Sequence, residues 1–268
     1  MLLSIKTKLK LSKTQEIIMC KHAGIARFTY NWGLATWQEL YKDGLKPNKY
    51  ILKKFFNNHV KPEFAWIKET GICQKITQYA FDNLGDSFSR LFSGKGGYPN
   101  LKKKGDRDYF TDAGGKPIPV GGKSIKLPTI GWVKTYEGFP HVTCKSITIS
   151  RTAESWFIAF AYEQEHEPTI KQQEIVGVDL GVKELATLST GVVFPNPKHY
   201  KTNLEKLRRL SRKLARKVKG SNNRNKAKIQ LAKHHAMVAN LRKDTLHPIT
   251  TFLCKNHAKI VVEDLNEV

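Results

Sequence analysis

A chain of 268 residues with 40% hydrophobic content has enough apolar surface to build a real core, which excludes a disordered tail and leaves room for one large domain or two to three small ones. Its 46 Lys and Arg against 23 Asp and Glu give a formal net charge of +23, whereas small domains typically settle at a magnitude of about 2 to 8. Such an excess repels itself and calls for a polyanionic partner, nucleic acid ahead of a membrane surface, since no apolar run approaches the ~18 residues of a spanning helix and Met1 opens no signal-peptide pattern.

The opening "LLSIKTKLKLS" alternates apolar and polar residues as a half-buried strand does. Helical spacing takes over from about Lys13 and runs to a glycine stop at Gly44. "YILKKFFNNHV" and "CQKITQYAFDNLGDSFSRLFSG" continue in the same manner, the latter placing Ile76, Tyr79, Ala80, Leu84, Phe88 and Leu91 on one face, as a core-facing helix would. From Ser93 to Gly122 the pattern predicts a loop rich in Gly, Pro and Lys. Its Lys102, Lys103 and Lys104, beside Tyr98, Tyr109 and Phe110, suit a surface that touches phosphates and bases. Strands resume with "SIKLPTIGWVKT", "HVTCKSITIS" and "WFIAFAYEQE", the last two joined by a hairpin at "RTAES". A small β module is thus expected to be split by a helical insertion.

After a polar linker, "IVGVD" reads as a buried strand that carries a carboxylate, Asp179, a costly arrangement unless something positive compensates it. "ELATLS" and "VVF" complete a three-stranded meander. The helix from Lys198 to Lys219 then has Leu204, Leu207, Leu210, Leu214 and Val218 at helical spacing, with ten basic residues and one acidic, Glu205. A face so one-signed, with Arg208, Arg209, Arg212, Lys213, Arg216 and Lys217, suits a phosphate backbone. A second long helix from about Asn222, kinked near Pro248, delivers the chain to "AKIVVEDLNEV", another buried strand ending in Glu263 and Asp264. Functional side chains gather at such strand ends. Asp179 and Glu263 brought together would repel unless a divalent cation lay between them, and Mg²⁺ is the expected ion because it shares its shell with water and phosphate. Cys20, Cys73, Cys144 and Cys254 form no Cys-x-x-Cys pair, so no zinc site is expected from them, only four buried thiols in a reducing compartment.

"ARFTYNWGL", "GYPNLKKK", "IKLPTIGWVKT", "ITISRTAESWFIAF", "GVDLGVKELATLSTG" and "IVVEDLN" together resemble TnpB-type proteins, also called OrfB, which insertion sequences encode and which are related to type V CRISPR effectors. That resemblance implies an α+β, multidomain fold: a wedge-type β-barrel (residues 1–12 and 118–168), an inserted helical recognition region (13–117) and a partial RNase H-like, RuvC-type domain (174–268). It implies an RNA-guided DNA endonuclease, with guide RNA from the element end and a double-stranded DNA target bearing an adjacent motif. Asp179 and Glu263 match the first and second RuvC carboxylates, and Tyr50, Gln78 and Thr111 fall where the family contacts the adjacent-motif duplex. The family's third carboxylate, an Asp, and its zinc ribbon match nothing before Val268, so a truncated chain without structural zinc is expected. Cytoplasmic, nucleoid-associated placement follows from the same likeness.

Two alternatives stand beside it. A chain that still takes up RNA and DNA but cannot cut would act as a repressor or persist as a relic. Sugar kinases and actin-like ATPases share the "GVDLG" turn, but follow it with hydroxyl side chains where this chain has Val182, Lys183 and Glu184.

Overall fold

The computed structural model describes residues 2–67, 72–73, 75–105, 108–112, 118–127, 129–144, 146–165 and 170–263. The chain divides into two compact units, Met1–Glu165 and His166–Val268.

In the first unit, strand β1 (Leu2–Lys10) leads into helix α1 (Lys13–Lys42), whose start is set by a capping box. The Ser12 hydroxyl accepts from the Gln15 amide at 3.2 Å, and the Gln15 side chain accepts from the Ser12 amide at 3.0 Å, satisfying two donors that a helix start leaves open. Helix α1 ends shortly before Gly44, whose φ of +77° a side chain would resist. Helix α2 (Lys49–Phe55) passes into a π-helical turn, Phe56–Val60, and helix α3 (Lys75–Phe92) lies against α1. Ile76, Ala80, Leu84 and Phe88 are buried, as their spacing predicts. Trp37 stacks on Phe88 with ring centroids 4.0 Å apart, and Trp32 meets Phe81 edge-on at 6.0 Å.

Strands β2 (Tyr109–Asp112), β3 (Ile118–Leu127), β4 (Gly131–Cys144), β5 (Ile147–Thr152) and β6 (Ser155–Glu163) join β1 in one antiparallel sheet, ordered β2-β5-β6-β1-β4-β3. The first strand of the chain therefore sits between β6 and β4, with three helices intervening in sequence before the sheet is completed. The β3–β4 pairing is interrupted near Gly121 and Gly122. The His141 ring lies over Gly121, where a Cβ would stand 2.2 Å from it, so a side chain there would displace that ring. The β5–β6 hairpin turns on Ala153 and Glu154, both at positive φ, the two-residue geometry that matches strand twist.

Two expectations are corrected. The loop predicted over 93–122 contains β2 and the start of β3. Phe110, 1% exposed, is a core residue there, and a four-residue strand is too short to show a period in sequence. The thiols are also not uniformly buried: Cys73 and Cys144 are, whereas Cys20 and Cys254 are exposed.

In the second unit β7 (Gln173–Leu180), β8 (Glu184–Leu188) and β9 (Val193–Pro195) form an antiparallel meander, followed by α4 (His199–Ala215), α5 (Asn222–Asn256) and β10 (His257–Val262). Strand β10 returns beside β7 and parallel to it, giving the order β10-β7-β8-β9. Ile249 and Leu253 of α5 pack on Val176, Val178, Ala186 and Leu188. Helix α4 stops at Ala215, so Val218 lies past the helix and is 77% exposed rather than part of the leucine stripe. Arg224 at the start of α5 donates to the Leu214 and Lys217 carbonyls at 3.1 and 2.9 Å, closing the carbonyl end of α4. Helix α5 continues through Pro248, and no described helix is long and apolar enough to cross a membrane.

At Gly33 helix α1 comes close to α3, since a Cβ there would lie 2.9 Å from both Leu84 and Phe81. A Gly33→Val substitution is expected to cost about 1–3 kcal/mol through overpacking, even after the gain in helix propensity. Denaturant unfolding followed by circular dichroism checks it, and an unchanged midpoint would show that the helices separate freely.

Candidate nucleic-acid interface and carboxylate pair

The register of the parallel pair places the two predicted carboxylates. Val262 of β10 is abreast of Val178 of β7, so the next residues on the two strands are Glu263 and Asp179. Neighbouring strands lie about 4.8 Å apart, and side chains at matched positions of a parallel pair share a face. Val176 and Val178 turn toward α5, so alternation puts Ile175, Gly177 and Asp179 on the opposite face. Asp179 and Glu263 are both exposed. The expectation of a carboxylate inside a buried strand is corrected accordingly: only one face of β7 is covered among the described residues, and Asp179 lies on the other. Asp264 lies outside the described residues.

The turn after Asp179 is shaped by backbone contact. A Cβ on Gly181 would stand 2.9 Å from the Glu184 carbonyl oxygen, so the glycine admits the chain's own backbone. Among the described residues no group of three or more His, Cys, Asp or Glu could hold a metal ion. Two adjacent carboxylates fit one hydrated divalent cation, which keeps most of its shell as water, and fall short of the ligands that two ions would need.

Helix α4 presents the basic face that its sequence predicts. Leu207 is buried, while Arg208, Arg209, Arg212, Lys213 and Arg216 are exposed and Lys217 is partly covered. A concavity of about 860 Å³ is lined by Tyr200, Leu204, Arg208, Arg209, Arg212 and His235, and a second of about 390 Å³ by Arg209, Arg212, Lys213, Arg216 and Lys217. Tyr200, 56% exposed, and His235 were not singled out by sequence. An aromatic one turn before a leucine reads as core, whereas in the structure Tyr200 lies on the part of α4 that stays open to solvent.

The predicted contacts to a DNA duplex are spread over three elements of the first unit. Tyr50 on α2 is 71% exposed, whereas Gln78 on α3 and Thr111 on β2 are partly buried. The Thr111 and Thr148 hydroxyls are 3.5 Å apart across the β2–β5 ladder. Helix α3 packs against both α2 and β2, the elements that carry Tyr50 and Thr111.

The three consecutive lysines are not equivalent. Lys103 and Lys104 are exposed. Lys102 is folded inward: its Nζ donates to the Tyr109 hydroxyl at 2.7 Å and lies 3.7 Å from the Tyr30 ring centroid and 4.4 Å from that of Tyr109. Lys102, grouped with its neighbours by sequence, is thus engaged inside the protein rather than extended with them into solvent. Tyr109 is engaged with it, Phe110 is core, and only Tyr98 of the three aromatics is exposed, at 50%.

Burial pushes the Lys102 ammonium down to about 8. The folded value is therefore below the ordinary lysine value of about 10.4, and the unfolded chain binds more protons between the two. Stability should rise with pH across that window through this group, the cost of burying its charge being fully present below about 8. Melting curves at pH 8, 9 and 10 should show the native chain gaining relative to Lys102→Met, and parallel pH profiles would show that the charge is held at no cost.

The chain matches two family profiles: OrfB_IS605, "Probable transposase", over residues 159–267, and its "Helix-turn-helix domain" over residues 1–46. In this structure the latter span is the strand β1 and the single helix α1. An Escherichia coli K12 protein described as "Putative RNA-guided DNA endonuclease InsQ" is 35% identical over 98% of this chain and 66% of its own length. A Streptomyces pristinaespiralis protein with the same description, without the InsQ name, is 32% identical over 76% of this chain and 51% of its own. The chain thus spans between half and two thirds of these relatives. Among solved structures, the cryo-EM structure of the Cas12f1–sgRNA–target DNA complex has a chain that superposes with a TM-score of 0.56 at 13% identity, covering 95% of this chain and 66% of that one, a likeness of fold. A strongly basic α+β protein with a curled antiparallel sheet in one unit and strand-end carboxylates in the other is what fold and site define. This chain belongs to the TnpB-type OrfB family of insertion-sequence proteins.

Proposed function

We propose that this protein takes up a guide RNA and a complementary double-stranded DNA target, as an RNA-guided DNA endonuclease of an insertion sequence. The observation that carries the reading is the parallel β7–β10 register, which sets Asp179 beside Glu263 on an open sheet face. In this reading the curled sheet of the first unit is a wedge-type barrel, α1–α3 are its recognition insertion, and the second unit is a RuvC-type domain. Asp179 and Glu263 together would hold Mg²⁺, which when bound polarises a phosphodiester oxygen and lowers the pKa of a coordinated water. The chain's own part is to supply the negative charge at the strand ends and to hold the polyanion. Arg208, Arg209, Arg212, Lys213, Arg216 and Lys217 neutralise backbone phosphates without reading bases. Tyr50, Gln78 and Thr111 face the motif beside the target, and Lys103 and Lys104 add phosphate contacts.

A specific observation favours a non-cutting variant of the same reading: among the described residues the pair has no third carboxylate, and both members are open to water, where electrostatic interactions are weak. The 268-residue chain is therefore expected to bind guide RNA and matched DNA without cleaving it. Plasmid cleavage with guide RNA and Mg²⁺, run beside filter binding, tests this. Guide-dependent cutting that disappears in Asp179→Ala would make the chain a nuclease on its own, and no binding at all would remove the RNA-guided reading.

The basic face of helix α4 has its own signature. Replacing Arg208, Arg212 and Arg216 by Gln should weaken binding almost uniformly across sequences and flatten the logarithmic salt dependence by about 0.7 to 0.9 for each phosphate no longer neutralised. An unchanged slope would leave α4 as a solvated face.

A further inference from the structure

The lysine loop is clamped on both sides to α1. On one side the Asn31 carboxamide pairs with the Lys102 backbone, its oxygen accepting from the Lys102 amide at 2.8 Å and its nitrogen donating to the Lys102 carbonyl at 2.9 Å. The Lys102 side chain adds the Tyr109 hydrogen bond and the Tyr30 ring contact. On the other side Asp108 accepts from Arg27 at 2.8 Å and from the Gly105 amide at 3.3 Å, while its carbonyl accepts from the Arg151 amide at 2.8 Å. Between the clamps Lys103 and Lys104 stand exposed. Arg151 of β5, whose amide bonds the Asp108 carbonyl, also brings its guanidinium to 3.9 Å from the Cys20 sulfur of α1, so this end of the loop lies beside that part of α1 and β5.

We propose that Asn31 and Lys102 are positioning residues: they do not touch nucleic acid, but hold Lys103 and Lys104 in a fixed basic edge beside Arg27 and Arg151 that grips the backbone of bound RNA. This rests on the RNA-binding reading above and assigns a role inside it. Its physical basis is that two long lysine side chains on a free loop lose rotamer and backbone freedom when they bind, whereas on a clamped loop the backbone part of that cost has already been met by folding. A paired carboxamide is suited to the task because it fixes both the donor and the acceptor of one residue without adding charge.

Neutral substitutions decide the matter. The probe is a fluorescent single-stranded RNA of mixed sequence, about 20 nucleotides long to exceed the usual single-strand site size, titrated at several salt concentrations with the full chain. Lys103→Ala with Lys104→Ala should weaken binding and flatten the salt dependence by about 1.4, two phosphates at about 0.7 each for a single strand. Asn31→Ala, which changes no charge, should weaken binding about five- to tenfold with the salt slope kept, and should add little to the double lysine variant. Tyr109→Phe, which keeps the ring and removes only the hydroxyl, is the milder variant should Asn31→Ala not fold, and should lose affinity in the same slope-preserving way. Lys102→Met separates the roles: a positioning lysine loses affinity at constant slope, whereas a phosphate ligand loses slope. If the lysine pair matters but Asn31→Ala and Tyr109→Phe bind as the native chain does, the positioning role is overturned and the RNA-binding reading stands. If the lysine pair itself is without effect while α4 variants weaken binding, the loop is no nucleic-acid surface and the inference falls with it.

Discussion

Parallel strands cannot be joined by a turn, and the second unit depends on that constraint. To bring β10 alongside β7 in the same direction, the chain has to cross back over the sheet, and it does so through α4 and α5. One stretch of sequence therefore does two things. It supplies the apolar residues Ile249 and Leu253 that cover one face of the sheet, and it carries the basic residues of α4. Alternation along β7 then leaves the carboxylate on the face that α5 does not cover. The pairing register makes neighbours of Asp179 and Glu263, and a slip of one residue would turn one of them toward α5.

The first unit answers a similar constraint with antiparallel pairing. Strand β1 is made first but sits between β6 and β4, so its ladder is completed only after the helices have been laid down. The aromatic packing among Trp32, Trp37, Phe56, Phe81 and Phe88 ties the helices together and is continuous with the apolar face of the sheet in one core. A buried polar group joins helix to sheet there: the Cys73 thiol donates to Asp112 at 3.1 Å, the Cys73 amide bonds to His22 at 3.0 Å, and His22 stacks on Phe110. Burial raises the Asp112 carboxyl and pushes the Cys73 thiol up to about 12, so the thiol stays protonated and a structural role suits it better than a reactive one.

Charge is distributed unevenly in function although it is spread widely in sequence. Lys102 shows the difference. Three identical residues in a row carry equal electrostatic weight on paper, yet one is drawn between two tyrosine rings while its neighbours remain in water. A lysine in an aromatic pocket serves the fold through its stem and its hydrogen bond, and it does so at the cost of desolvating its charge.

Much could be read from the sequence where a signal is local. The helix start near Lys13, the stop at Gly44, the apolar face of α3, the meander after Asp179 and the basic face of α4 follow from short-range patterns, because glycine turns and amphipathic periods act over a few residues. The family too was legible, since its motifs are contiguous strings. Tertiary structure decided what depends on partners distant in the chain. Strand β2 exists because β5 offers it a ladder, Lys102 turns inward because Asn31, 71 residues away, pairs with its backbone, and Asp179 is open because α5 covers only the other face. No local pattern encodes such pairings, because whether a residue is buried or exposed is settled by the element that packs on it.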